Sequence, residues 1–151
     1  MTTVTELVET SMPEQAGLVS VVIIFLDEER FLREAIESVL AQDYPHWGLL
    51  LMDDGFTDTA PAIAQAFVRK HARIRYPAHP SGQKQRYERV AQPRSLPSRG
   101  EYVAFVTADD IYLPKRLRRR AEALAALPSI AMTVSSQIRW YDPPTRRSNI
   151  V

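Results

Sequence analysis

Two pairs of neighbouring aspartates are the residues of this chain best suited to chemistry. Asp53 and Asp54 follow the apolar run 48–52, and Asp109 and Asp110 come shortly after the run 102–106. Hard cations require oxygen ligands, and Mg²⁺ is commonly held by one or two carboxylates together with substrate phosphates. Aspartates also cap helices and occupy turns, which is the simpler interpretation of either pair alone.

The two acidic pairs taken together favour a functional interpretation. If the preceding apolar runs are parallel strands, both pairs lie at one edge of the sheet, where open α/β folds bind ligands. Like charges gathered there are unfavourable unless a cation or hydrogen-bond donors compensate them. We therefore predict a ligand site with a divalent cation at this edge.

The elements that must position these carboxylates alternate between strand and helix. Residues 18–26 are nearly continuous and β-branched, as in a strand covered on both faces. Asp27 is suited to cap a helix over 31–40, whose apolar residues share one stripe. Further strands are predicted at 48–52, 74–76, 102–106 and 130–141. Further helices are predicted to start at Asp58 and to cover Pro114–Ala126. Residues 77–98 are predicted to be mostly loop, and a basic tail ends the chain. This alternation predicts an α/β fold with a mostly parallel open sheet, right-handed crossovers and helices on both faces.

Length and composition indicate a single domain. The chain has 151 residues, of which 45% are hydrophobic and 25% charged, as in ordinary globular proteins. We expect a flexible leader over 1–17 and one domain over 18–151. No cysteine is present, which excludes disulfides and thiolate metal sites. Because the sequence has neither a membrane-length apolar run nor a signal-peptide pattern, we expect a cytoplasmic protein.

Charge is distributed unevenly along the chain. Residues 1–60 hold 12 acidic and 2 basic side chains, whereas residues 61–151 hold 6 acidic and 17 basic ones. A basic half can serve nucleic acid, anionic lipid or a polyphosphate ligand, although most such charges simply lie on solvated helix faces. Nucleic acid is disfavoured as a partner because the basic cluster 115–120 has no aromatic residues interleaved.

Four blocks of sequence, in this order and spacing, resemble family 2 glycosyltransferases of the GT-A fold. The blocks are Leu18-Val-Ser-Val-Val-Ile-Ile24, Asp27-Glu-Glu-Arg-Phe-Leu-Arg-Glu-Ala-Ile-Glu-Ser-Val-Leu-Ala-Gln-Asp-Tyr-Pro45, Leu50-Leu-Met-Asp-Asp-Gly-Phe-Thr-Asp58 and Arg99-Gly-Glu-Tyr-Val-Ala-Phe-Val-Thr-Ala-Asp-Asp110. The resemblance runs from about Leu18 to Leu127. It implies a sugar-nucleotide-dependent transferase, inverting, with a UDP- or dTDP-sugar donor and Mn²⁺ or Mg²⁺.

The resemblance also implies roles for individual residues. Asp54 would accept a hydrogen bond from the uracil or thymine ring, and Asp109 matches the last acidic residue of the family's Asp-x-Asp metal motif. Arg86, in Ser81-Gly-Gln-Lys-Gln-Arg86, resembles an arginine that reaches the nucleotide in the spore-coat polysaccharide branch of the family. The implied nucleotide-binding set is Ile24, Phe25, Leu26, Asp54, Arg86 and Ala108, and the implied metal ligands are Asp109 and Asp110.

The sequence departs from the family pattern in several places. Thr107 replaces the first aspartate of the metal motif, Phe56 replaces a serine, and Pro93 and Pro97 oppose an expected helix. In the family, the acceptor-binding half and the catalytic base follow the metal motif. Beyond Asp110 the only acidic residues are Glu122 and Asp142, neither in a matching context. The chain therefore resembles a donor-binding half, and its catalytic base is unassigned.

Two alternatives to a transferase stay open. One is a nucleotide-diphosphate-binding module without catalysis. The other is a phospho-receiver domain, which we disfavour because a full strand and helix precede Asp53 and no lysine follows a late strand. A dinucleotide-binding Rossmann domain is disfavoured because no Gly-x-Gly-x-x-Gly follows the first strand. The acceptor, saccharide or lipid-linked, is unassigned, and contact with a membrane surface and self-association stay open.

Overall fold

The core of the molecule is a parallel sheet whose strand order is β3-β2-β1-β4. The computed structural model describes residues 15–55, 57–77, 99–129, 132, 138–142 and 146–150. The four strands are β1 (Gln15–Phe25), β2 (Trp47–Asp53), β3 (Ile74–Arg75) and β4 (Gly100–Thr107). Every pair in this sheet is parallel, which confirms the predicted mostly parallel open sheet.

β1 occupies the centre of the sheet because its side chains are apolar on both faces. Val21, Ile23 and Phe25 enter the main core, whereas Val22 packs with Leu50 in a smaller cluster on the opposite face. Alternate residues of a strand point to opposite faces, so a strand buried on both sides must be apolar throughout. The continuous pattern of residues 18–26 therefore predicted the central strand correctly.

In the described ranges, three helices cover the main core: α1 (Leu32–Leu40), α2 (Ala60–Lys70) and α3 (Arg116–Ala126). All three bury side chains in the same cluster as the inward residues of β1, on one face of the sheet. These side chains are Leu32, Ala35, Ile36, Val39, Ala60, Ala64, Phe67, Leu117 and Ala121. A helix on the opposite face is still a prediction, since residues 78–98, between β3 and β4, lie outside the described part.

β4 differs from its prediction as a fully buried strand. Residues 102–104 are half-buried and Phe105 is exposed, whereas Val106 is buried. The reason is its position at the edge of the four-stranded sheet, where it pairs only with β1 among the described residues. Sequence pattern cannot distinguish an edge strand from a central one when both are apolar.

A second, three-stranded sheet has the order β5-β7-β6. It consists of β5 (Asp110–Ile111), β6 (Ile138–Asp142) and β7 (Arg146–Ile150). β7 is parallel to β5 and antiparallel to β6. Residues 146–150 of the predicted basic tail therefore form a strand that sequence analysis did not predict, through backbone pairing with β5 and β6.

The start of the domain also differs from expectation. β1 begins at Gln15, inside the predicted leader 1–17, because Gln15 pairs with Gly100 before a register shift that ends at Val19. Residues 1–14 lie outside the described part, so the leader itself remains a prediction. Within the described ranges, no helix has the length and apolar content needed to cross a membrane.

Candidate functional site

The carboxyl ends of β1, β2 and β4 meet at one edge of the sheet. In register, Ile24 lies opposite Met52 on one side and Thr107 on the other, and Phe25 lies opposite Asp53. β2 and then β3 follow on one side of β1 in the sheet, whereas β4 lies on the other side of β1. The strand order therefore reverses at β1. Ligands of open α/β folds bind at this reversal of strand order. The two acidic pairs therefore flank the topological switch point, as the sequence predicted.

Asp53 holds the end of β2 in place. One of its carboxylate oxygens accepts the Gly55 N–H at 2.8 Å, and the other accepts the Tyr76 hydroxyl at 2.8 Å. Burial, and secondarily the hydrogen bond to Asp53, raises the pKa of Tyr76, which therefore stays a protonated donor. Tyr76 also packs against Phe25, with ring centroids 6.0 Å apart. Asp53 is thus occupied by structural contacts, and the sequence did not reveal its partner Tyr76.

Asp54 follows β2 at the edge formed by the carboxyl ends of β1, β2 and β4, which we call the rim. Its backbone N–H donates to the Phe25 carbonyl at 2.9 Å, which continues the pairing of the two strands beyond Asp53. Its side chain is half-buried. This backbone hydrogen bond fixes the main chain from which the Asp54 carboxylate projects.

The loops after β1 and β2 are joined to each other by side-chain hydrogen bonds. The Glu29 N–H donates to Asp58 Oδ2 at 2.8 Å, and Glu29 Oε2 accepts both the N–H and the hydroxyl of Thr59, at 3.1 and 2.7 Å. The hydrogen bonds to Thr59 lower the pKa of Glu29. Asp58 Oδ1 also accepts the Ala60 N–H at 2.9 Å, at the start of α2. These contacts hold the two loops that border the switch point as one unit.

Asp27 does not cap α1, so that prediction is wrong. α1 begins after Phe31, and no side chain caps it. Asp27 instead has a φ of 50°, a left-handed conformation that is uncommon outside glycine and best tolerated by Asn and Asp. Its Oδ1 accepts the Thr57 N–H from the loop after β2. The Asp27 side chain therefore joins two loops instead of capping a helix.

Asp109 and Asp110 have different surroundings although they are neighbours. Asp109 is half-buried in the turn that follows β4, whereas Asp110 is buried within β5. Burial raises the pKa of Glu28, and so do the charges of Asp109, Asp58 and Asp27. The carboxylates of the β1 and β4 loops therefore repel one another across the switch point.

This arrangement fits a divalent cation bound together with a ligand. In the described part of the chain, no three His, Asp or Glu side chains are close enough to form a metal cage by themselves. Mg²⁺ is usually held by only one or two carboxylates plus substrate phosphates. A bound cation would also relieve the repulsion between Asp109 and Glu28. Asp109 is half-buried at the rim where this would happen, whereas Asp110 is buried within β5.

The predicted nucleotide-binding residues differ in how accessible their side chains are in the fold. Leu26 is exposed at the rim, and Ile24 packs with the smaller cluster. Phe25 and Ala108 are buried in the main core, so their side chains are not available to a ligand and only their backbone could contribute. Arg86 lies outside the described residues.

Two buried polar side chains, Ser38 and Gln42, hydrogen-bond to the segment that leads into α3. We call these contacts the clasp, and sequence analysis missed them. Gln42 Nε2 donates to the Leu113 carbonyl at 2.8 Å, and Gln42 Oε1 accepts the Leu117 N–H at 3.0 Å. Ser38 Oγ accepts the Tyr112 N–H at 3.0 Å. The available signal was a polar residue at an inward position of the amphipathic helix α1, Ser38, followed by the glutamine Gln42 two residues after the helix ends.

The sequence profile described as Glycosyl transferase family 2 matches residues 20–149. The chain belongs to this family. Its curated relatives include the uncharacterized glycosyltransferase EpsJ of Bacillus subtilis, which is 30% identical over 142 residues, or 89% of this chain and 40% of EpsJ. The chain spans less than half the length of EpsJ and of the first curated relatives it matches.

Solved structures confirm the GT-A fold. S. aureus TarS 1–349 in complex with UDP has a TM-score of 0.57 at 22% identity, covering 74% of this chain and 32% of that one. The mannosyltransferase PcManGT from Pyrobaculum calidifontis, in complex with GDP-Man and Mn²⁺, has a TM-score of 0.57 at 23% identity, covering 78% and 33%. At these identities the likeness establishes fold, not ligand.

Proposed function

We propose that this chain is the donor-binding part of an inverting glycosyltransferase that uses a UDP- or dTDP-sugar with Mn²⁺ or Mg²⁺. The observation that carries the proposal is the position of Asp54 and Asp109. They follow β2 and β4, the two neighbours of β1 at the switch point. Open α/β folds bind ligands there, and membership of Glycosyl transferase family 2 supports a sugar nucleotide as that ligand.

The proposed roles follow from the chemistry of the donor. Asp54, at the end of β2, accepts the imide N–H of uracil or thymine, an atom that cytosine lacks. Asp109 holds the cation, with Asp110 as the second predicted ligand, and Arg86 contacts the diphosphate as a bidentate, permanently charged partner. When bound, the divalent cation neutralises the charge that develops on the leaving diphosphate. The loops joined by Glu29, Asp58 and Thr59 keep the rim in position while the donor binds.

The proposal is tested by thermal unfolding with nucleotides and metal. UDP or dTDP at about 100 times its dissociation constant stabilises by about 2.7 kcal/mol, which for a domain of this size raises Tm by about 5–11 °C. We expect this shift to require Mn²⁺ or Mg²⁺ and to lose its metal dependence in Asp109→Asn. Glu37→Gln, an exposed charge on α1, is the matched control and should behave as wild type.

Two results would contradict the proposal. If no pyrimidine diphosphate raises Tm at millimolar metal, the proposed donor site is ruled out. If the Tm shift of Asp109→Asn still requires metal, Asp110 or another group binds the cation. The alternative of a non-catalytic nucleotide-binding module shares the binding result and differs only in turnover.

A further inference from the structure

Tyr112 closes the turn between β4 and β5, which carries Asp109. Its hydroxyl donates at 2.8 Å to the carbonyl of Phe105, seven residues earlier in the chain. Its backbone N–H donates to Ser38 Oγ at 3.0 Å. One residue therefore attaches the end of this turn both to β4, from which the turn departs, and to α1.

The Tyr112 side chain is held in place by its surroundings. It is only 4% exposed and belongs to the main core. The guanidinium carbon of Arg116 lies 4.5 Å from the centroid of its ring. Side chains in a close-packed core occupy one low-energy rotamer, so the hydroxyl has a defined position. The hydrogen bond to Phe105 is therefore a fixed link across the turn.

The position of Asp109 follows from how the turn is held on either side of it. Ala108 is buried in the main core and Asp110 is buried in β5, whereas Asp109 between them is half-buried at the rim. With Ala108 fixed by the core and the far end of the turn fixed by Tyr112, the main chain of Asp109 has little freedom to move.

Electrostatic repulsion makes this support necessary. The carboxylates of Asp109 and Glu28 repel each other across the switch point. In the absence of a cation, the repulsion favours a turn that has moved away from the loop after β1. The hydroxyl of Tyr112 opposes this movement because it links the end of the turn to β4.

We propose that Tyr112 is a positioning residue for the metal, whose hydroxyl keeps Asp109 ready to bind a divalent cation. The inference rests on the proposed function, in which Asp109 is the cation ligand. When only part of a protein population has the binding-competent conformation, its affinity falls by that fraction. Loss of the hydroxyl should lower the population of the competent turn and therefore the affinity for the cation. Asp54 and base recognition should be unaffected.

Calorimetry of the full chain with UDP, with and without Mn²⁺, tests the proposal on wild type and Tyr112→Phe. The substitution keeps the ring, its contact with Arg116 and the N–H that donates to Ser38, and it removes only the hydroxyl. Loss of a group that orients a metal ligand typically lowers metal affinity 10–100-fold, so we expect Mn²⁺ to enhance UDP binding about 10-fold less in Tyr112→Phe. Binding of UDP without metal should be unchanged.

Tyr44→Phe is the matched control. Tyr44 is also a tyrosine packed against the main core, and its hydroxyl also donates to a backbone carbonyl, that of Gly17. Gly17 lies near the amino end of β1, whereas the rim is at the carboxyl end. The two variants lose the same kind of hydrogen bond, so thermal unfolding should show similar losses of Tm. Only Tyr112→Phe should alter the effect of Mn²⁺.

The outcomes separate this inference from the proposed function. An equal effect of Mn²⁺ in Tyr112→Phe and wild type would overturn the inference and leave the donor site intact. An equal reduction in Tyr44→Phe would also overturn it, because general destabilisation would then be the cause. If Mn²⁺ has no effect on UDP binding by wild type, the proposed cation site is ruled out, and this inference with it.

A second variant tests the same link if Tyr112→Phe does not fold. Ser38→Ala removes the acceptor of the Tyr112 N–H and leaves the tyrosine itself intact. We expect it to reduce the effect of Mn²⁺ as well, and an effect equal to that in wild type would overturn the inference.

Discussion

At the scale of single residues, the two acidic pairs divide into members held by the surrounding structure and members at the rim. Asp53 is held by Gly55 and Tyr76, and Asp110 is buried in β5. Asp54 and Asp109 are left half-buried at the rim. Residue type alone does not separate these four aspartates, and the fold distinguishes them by what surrounds each one.

Asp54→Ala should mainly erode base selectivity. Its backbone N–H, which anchors it to Phe25, survives the substitution, so the rim should keep its shape. A hydrogen bond to a charged group contributes about 1.5–3 kcal/mol, and we expect the preference for UDP over CDP to fall by about 10–150-fold. Calorimetry with both nucleotides, with and without metal, measures this. A preference for UDP that survives in Asp54→Ala would assign base recognition to another group.

Glu28→Gln should stabilise the ligand-free protein at neutral pH. Burial and the neighbouring charges of Asp109, Asp58 and Asp27 raise the pKa of Glu28, so its charged form is disfavoured in the folded state. A raised folded-state pKa contributes stability at pH values below the unfolded pKa, and this contribution is lost as pH rises through the folded pKa.

The advantage of Glu28→Gln should therefore be present at pH 7 and shrink as the pH falls towards 4, where wild-type Glu28 is protonated. Because solvent screens this half-buried group, we expect a gain of at most about 1 kcal/mol. Denaturant unfolding of both proteins across this pH range provides the measurement. A gain that does not change with pH would point to packing rather than charge.

At the scale of elements, the rim depends on contacts that join distant segments. α1 and the start of α3 are clasped by Ser38 and Gln42, and β1 and β4 approach closely at Gly100. Neither contact is visible as a local sequence pattern, because the partners are more than 70 residues apart.

Gln42→Leu should destabilise the protein through the clasp. It leaves the buried Leu117 N–H without its acceptor, and an unsatisfied buried polar group costs about 1–3 kcal/mol. The Leu113 carbonyl loses the Gln42 donor but keeps the Arg116 N–H. For this size of domain each kcal/mol lowers Tm by about 2–4 °C. The matched control is Gln65→Leu on the exposed face of α2, which should change Tm little. Equal Tm values for the two variants would show that the clasp contributes no stability.

Gly100→Ala should be more damaging than its size implies. An added Cβ would lie 2.4 Å from the Leu18 carbonyl oxygen and 2.8 Å from the Ser20 nitrogen. It would also crowd Ser20 Oγ, which accepts the Gly100 N–H at 3.0 Å. Overpacking of this kind costs about 1–3 kcal/mol.

The matched control for Gly100→Ala is Gly48→Ala in β2. An added Cβ there has the Arg73 carbonyl at 3.8 Å as its nearest neighbour, an ordinary contact. Chemical denaturation should show a loss of folding stability in Gly100→Ala and none in Gly48→Ala. Equal stability of the two variants would mean that β1 and β4 can separate at this point without loss.

At the scale of the whole molecule, the proposed donor edge comes without an assigned catalytic base. We expect no acceptor-dependent sugar transfer at an enzymatic rate by these 151 residues, although slow donor hydrolysis by water is compatible with the site. General-base assistance contributes about 10²–10⁴-fold, and no residue in a matching context supplies it. The assay compares nucleotide release from UDP- and dTDP-sugars with Mn²⁺, with and without a panel of acceptors. Multiple acceptor-dependent turnovers would contradict this and direct attention to Glu122 and Asp142.

The sequence by itself determined the order of the strands and helices that build the main core, the central strand and the edge at which the carboxylates gather. These features follow from local causes: an unbroken β-branched run makes β1 a buried strand, and strand–helix alternation makes the sheet parallel. The family resemblance was equally readable, since four blocks recur in order, and the match to residues 20–149 confirms it.

Only the tertiary structure decided which residues of the rim are accessible and which are structural. Asp27 caps no helix but holds Thr57, Phe25 and Ala108 face the core, and Phe105 is exposed because β4 is an edge. Each of these outcomes depends on a partner from a distant segment or on a place in the sheet. Periodicity and propensity report only on a residue's neighbours in sequence, so they could not supply this information.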